Sequence, residues 1–286
     1  MTRPTSGLLT RGLAALATLA VLGGPAAAAE PSWIVYYGDQ APVSALAPYR
    51  IVVLDADHHP EPLRAIAAQG SLLLGYISMG EVENHRSHYE ATIGAGIVLQ
   101  ENENWPGSYF VDVRSPAWTR LTVDVLAGAL LAKGFHGFFL DTLDNPPHLE
   151  RTDPKRFAGM TDAAADLVKA LRQRYPQAPI MLNRAFEILP KVVADIDFSL
   201  GESIFAGYDF TTKKYKPTTA EDRKYLIGQL QAAQKARPEL KVMTLDYWDP
   251  EDKPGIAKLY QSERALGFNP YVATIDLRRI VPEPRR

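Results

Sequence analysis

Carboxylates and amides recur at the ends of short apolar runs along this chain. Asp55 closes Ile51–Asp55, Glu81 comes three positions after Leu72–Ser78, and Asp141 closes Gly137–Asp141 with Asp144 just beyond it. Asn183-Arg184 end Pro179–Asn183, Glu202 ends Phe198–Glu202, Asp246 lies in Lys241–Tyr247, and Asp276 ends Pro270–Asp276. Asp is a common turn former, so one such residue means little. A ring of them is chemistry. Carboxylates crowded into a cleft repel, which raises some pKa values and leaves other groups ionised, as an acid beside a nucleophile or base requires. Glycoside hydrolysis uses such a pair, and metal-dependent hydrolysis uses carboxylates with histidines. The histidines, His58, His59, His85, His88, His136 and His148, show no HxxxH or HExxH spacing. The expectation is therefore no metal and no cofactor. A metal-dependent hydrolase, supported best by His58-His59 after Asp57, is an alternative. The absence of cysteine removes disulfides, thiolate zinc sites and cysteine nucleophiles.

Aromatic residues shift the balance toward sugar. Tyr36, Tyr37, Tyr76, Trp105, Tyr109, Phe186, Tyr208, Tyr247 and Trp248 fall at or beyond these same run ends, where rings can stack on the apolar faces of pyranoses. An acidic cleft favours a cationic ligand, so an amino sugar with free ammonium groups fits the charge.

The apolar runs must place these groups on one rim. Together with Trp33–Gly38 they make eight strand-like segments. Between most of them lie helical stretches at Pro60–Gln69, Pro116–Lys133, Thr161–Tyr175, Thr219–Ala236 and Pro254–Leu266, with Gly70, Gly134 and Gly267 at helix stops. Alternation of this kind over about 250 residues predicts an α/β fold, a single-domain (β/α)8 TIM-type barrel over residues 30–286. No GxGxxG or GxxxxGK[ST] supports an open nucleotide-binding sheet. Glu81 to Tyr109 is expected as a loop over the barrel mouth, and Leu277 to Arg286 as a basic tail.

Residues 1–29 read as a signal peptide, with Arg3 and Arg11 before an apolar run from Leu13 to Leu22 and Ala27-Ala28-Ala29 before Glu30. That run is shorter than the roughly 20 residues of a permanent membrane anchor. The expectation is a secreted or periplasmic protein with no stable membrane anchor after cleavage. The formal net charge is −2, and losing two arginines makes it more acidic, so no nucleic-acid partner is expected. Oligomeric state is left open.

Four blocks resemble glycoside hydrolase family 114. They are Gly75-Tyr76-Ile77-Ser78-Met79-Gly80-Glu81-Val82-Glu83, Asn104-Trp105-Pro106-Gly107, Val111–Trp118, and Lys133-Gly134-Phe135-His136-Gly137-Phe138-Phe139-Leu140-Asp141-Thr142-Leu143-Asp144. The resemblance spans nearly the whole chain after the signal segment. It implies a barrel that cleaves α-1,4-linked galactosamine polymers internally, with Asp141 and Glu202 as the catalytic pair. It also leaves His136 where relatives more often carry Asp, which bears on helix capping at the far end of the barrel. A retaining mechanism with Asp141 as nucleophile and Glu202 as acid/base follows from the longer reach of Glu, and requires carboxyl groups about 5 to 5.5 Å apart rather than 6.5 to 9.5 Å. Tyr36, Asp55, Tyr76, Glu81, Trp105, Asp144, Asn183, Asp246, Tyr247 and Trp248 are expected to bind the polysaccharide. A carbohydrate-binding barrel without turnover is the remaining alternative, because fold does not fix function.

Overall fold

The computed structural model describes residues 32–39, 41–55, 57 and 63–284. The signal segment and His58-His59 lie outside the described residues. Eight strands form one parallel sheet in chain order: β1 (Trp33–Tyr36), β2 (Ile51–Leu54), β3 (Leu72–Ser78), β4 (Gly137–Asp141), β5 (Ile180–Asn183), β6 (Phe198–Glu202), β7 (Lys241–Tyr247) and β8 (Asn269–Ala273). The sheet curls so that β8 returns to β1. Trp33 Nε1 donates to the Asn269 carbonyl at 2.9 Å, and the Tyr37 amide donates to the Leu277 carbonyl at 2.8 Å. This is a nearly closed (β/α)8 barrel with helices around it.

Strands of such a barrel are covered on both faces, which is why Trp33-Ile34-Val35-Tyr36 and Ile51-Val52-Val53-Leu54 are apolar without alternation and wholly buried. The helices carry the stop and start signals that the sequence promises. Thr219 Oγ1 accepts from the Asp222 amide, and Gly134 closes its helix in the left-handed region at φ 108°. Pro116–Lys133 is one helical path whose middle, Arg120–Leu126, widens to π geometry, and Trp118 Nε1 ties it to the Met79 carbonyl at 2.8 Å.

Three expectations are corrected. Glu81 to Tyr109 is not an open loop but a three-stranded antiparallel sheet of Glu81–Glu83, Val98–Glu101 and Ser108–Val111 with a helix at Tyr89–Gly94. Its few apolar pairs, Val82 opposite Tyr109 and Val98 opposite Val111, are diluted by polar neighbours on the solvent face. The C-terminal segment packs on the barrel as far as it is described. Val281 is buried against Ile256, Tyr260 and Val272, and Arg264 pairs with Glu283. His136 caps a strand, not a helix: its Nδ1 accepts from the Leu73 amide at 2.9 Å.

Candidate active site

Active sites of these barrels lie where the strands end at their carboxyl termini, and here three consecutive strands end alike. Asp141, Asn183 and Glu202 are the last residues of β4, β5 and β6. Each is followed by a residue other than glycine with positive φ: Thr142 at 67°, Arg184 at 52° and Ser203 at 57°. Left-handed backbone at a β-branched or bulky residue costs of order 1–3 kcal/mol and persists where the surroundings enforce it. For Thr142 those surroundings are visible. Its Oγ1 accepts from the Gly80 amide at 2.8 Å and meets Ser78 Oγ at 3.0 Å. Gly80 has no alternative there, because a Cβ would collide with the Thr142 carbonyl.

The turns bring the two carboxyl groups to one amide. Asn183 Nδ2 donates to Asp141 Oδ1 and to Glu202 Oε1, each at 2.8 Å. These bonds hold the two oxygens within about 5.6 Å of each other, against the carboxyl spacing of about 5 to 5.5 Å in retaining glycosidases. The Thr142 amide gives Asp141 Oδ1 a second bond at 2.8 Å, and Tyr247 hydrogen-bonds Glu202. Burial, followed by the charge of Glu202, pushes Asp141 up to about 7. Burial also raises Glu202, opposed by Arg184, Asn183 and Tyr247. Two carboxyl groups this close repel, which favours a single proton between them, and the surrounding charges favour Asp141 as its holder, the reverse of what side-chain reach suggested.

Around the pair opens a cleft of about 590 Å³. Of the residues expected at the site, Tyr76, Glu81, Trp105, Asp144, Asn183 and Tyr247 line it with Asp141 and Glu202. Glu81 is spoken for. It accepts from Asn102 Nδ2 at 2.7 Å, Asn145 Nδ2 at 2.6 Å and Ser108 Oγ, so it ties the small sheet to the turn after β4. Asp144 faces Arg184 at 3.3 Å.

Four expected ligands are placed elsewhere. Tyr36 lies in the buried outer layer and its neighbour Tyr37 lines the cleft instead, since successive strand residues face opposite ways. Asp55 is held by Arg86 at 2.9 Å in a network with Asp57 and Glu83. Asp246 is fully buried on the outer face of β7, accepting the Phe205 and Ala206 amides. Trp248 donates to Asp252 Oδ2 at 2.9 Å and packs with the Ile256, Tyr260, Val272 and Val281 group. Of the other rings, Tyr109 packs on Tyr89 and Phe186 on Tyr225. Glu83, Arg184 and Phe210 line the cleft without having been singled out as ligands. Phe210 lies in the turn of a hairpin, Ala206–Asp209 with Lys214–Pro217, whose strands are too short and polar to read as such. Its ring meets Trp105 at 5.3 Å and Tyr208 at 5.3 Å, forming an aromatic wall.

A parallel barrel in which two carboxyl groups converge from the ends of β4 and β6, one on each side of β5, is the architecture of a glycosidase of the barrel class. The chain belongs to glycoside-hydrolase family GH114, whose model matches residues 18–285. It is similar to the glycoside hydrolase domain of PelA from Pseudomonas aeruginosa, at 28% identity and TM-score 0.79, covering 89% of this chain and 99% of that one. Aspergillus fumigatus Ega3, solved in complex with galactosamine, shares the fold at 15% identity and TM-score 0.63, over 86% and 92% of the two chains. A protein of Deinococcus radiodurans is 29% identical over 275 residues, 90% of this chain and 84% of its own length.

Proposed function

We propose that the chain is an exported endo-acting hydrolase of α-1,4-linked, partly deacetylated galactosamine polysaccharide, working by retention through Asp141 and Glu202. The observation that carries this reading is the bridging of both carboxyl groups by Asn183 Nδ2. The substrate class is supported by the Ega3 complex with galactosamine and by the cleft charge, where Glu81, Glu83, Asp144 and Asp276 join the pair against the single guanidinium of Arg184.

In the first step one carboxylate attacks the anomeric carbon as the other carboxyl group protonates the departing glycosidic oxygen. In the second, the group that gave its proton takes one from water, whose oxygen displaces the carboxylate from the anomeric carbon. Asp141 takes the role of nucleophile and Glu202 that of acid/base. A cationic sugar beside Asp141 and Asp144 lowers Asp141 by charge and moves the shared proton to Glu202. Arg184 then stabilises Glu202 once it has given that proton up.

The test is release of reducing ends from deacetylated α-1,4-polygalactosamine with a chelator present. Activity is expected in the parent, with losses of about 10²–10⁴-fold in Asp141→Asn and Glu202→Gln. With azide, Asp141→Ala is expected to give the β-glycosyl azide and Glu202→Ala the α. Binding of the polymer with no cleavage by the parent would overturn the reading, as would loss of activity with chelator alone.

A further inference from the structure

The outer face of the barrel holds a second carboxyl pair, far more enclosed than the first. Asp246 of β7 and Glu263 of the helix Lys253–Arg264 both have 0% exposure. Neither oxygen of Glu263 meets a donor among the described residues, and the group it faces is the Asp246 carboxyl. Two carboxylates cannot hydrogen-bond unless one carries a proton, and two uncompensated buried charges are prohibitive. Burial pushes Asp246 up to about 7, but unlike Glu263 it has partners that favour its charge. Its Oδ2 accepts from the Phe205 amide at 3.1 Å and the Ala206 amide at 3.1 Å, and its Oδ1 meets the Phe205 amide at 3.2 Å.

We infer that Glu263 is a permanently protonated positioning residue, which donates to Asp246 and through it fixes the Ile204–Ala206 backbone that follows Glu202. That segment matters to the site on both sides. Glu202 lies two residues before it, across the left-handed Ser203, whose amide donates to the Leu245 carbonyl at 2.8 Å. The hairpin carrying Tyr208 and Phe210 begins at its other end. A neutral Glu263 lets the helix press against β7 without repulsion, so the strand, the helix and the turn after β6 are locked at one point. Burial and the Asp246 charge both push the Glu263 carboxyl well up. Asp246 is the charged group that faces Glu263 from any described element, and Glu263 with the backbone amides of 204–206 are what face Asp246.

The sign of the pH dependence follows. A group held protonated in the folded state and ionised at the ordinary glutamate pH when unfolded loses stabilisation as pH rises. Glu263→Gln keeps a donor and carries no such titration. Its melting temperature is therefore expected to match the parent at the acid end and to exceed it by a margin that widens with pH, with kcat within about twofold of the parent. Glu263→Leu removes the donor, leaves Asp246 facing a hydrocarbon, and is expected to lower kcat between about tenfold and a hundredfold with a smaller effect on KM, as a displacement of about 1 Å at the reacting groups does.

Infrared spectroscopy reads the proton directly. Well above neutrality the parent should retain the C=O stretch of a protonated carboxyl, and Glu263→Gln should lose it. No such band, or a Gln variant as impaired as the Leu variant, would overturn the inference. The infrared and melting measurements need no substrate, so they stand whether or not the polysaccharide assignment does.

Discussion

Asn183 was legible in the sequence as a polar strand end, and its type suggested a sugar ligand. Its partners were not legible, because Asp141 and Glu202 lie 42 and 19 positions away and meet it only once β4, β5 and β6 stand side by side. The bridging amide favours the charged form of both carboxyl groups. Replacing it by alanine removes that support and raises both. The alkaline limb of the kcat/KM profile reports loss of the shared proton in the free enzyme. In the parent that limb is expected near pH 7, the value of Asp141. In Asn183→Ala it should move to higher pH while the maximum falls, and a limb that stays in place or moves down would separate Asn183 from the titrating pair.

At the scale of elements, the sequence was clear where burial on both faces imposed continuous apolar runs and obscure where one face was wet. All eight barrel strands were readable, and four of the five longer helices began or ended within two residues of their signals. The Glu81–Val111 sheet and the 206–217 hairpin were hidden, being short, polar and antiparallel. Placing Tyr36 rather than Tyr37 in the cleft is a one-residue error that turns the side chain to the opposite face. The small sheet is nevertheless what supports the rim, since Gly80 sits between β3 and Glu81 and touches the strained Thr142 turn. Gly80→Ala is expected to push that turn away from Asp141. Overpacking of this kind costs about 1–3 kcal/mol, so the melting temperature should fall by several degrees and kcat more than tenfold. A variant with parental kcat would mean that the Thr142 turn does not set the aim of Asp141.

Across the whole barrel, charge is organised by depth. Outside the cleft lining several carboxylates are each paired with an arginine: Asp55 with Arg86, Asp197 with Arg172 at 2.6 Å and Asp112 with Arg114 at 2.8 Å. At the mouth the balance is reversed, with six carboxylates lining the cleft against Arg184. Such a cleft focuses field lines on a polycation and draws it in at long range. Salt screens that attraction over a Debye length of about 8 Å at physiological ionic strength. For deacetylated polygalactosamine, KM should therefore rise steeply as salt increases, with kcat nearly unchanged because the reacting groups are buried. For a fully N-acetylated polymer of equal length, KM should be nearly flat. The two measurements separate charge from shape: equal salt dependence for both polymers would assign recognition to the aromatic wall of Trp105, Tyr208 and Phe210, whereas a steep slope for the cationic polymer alone assigns it to the carboxylate rim.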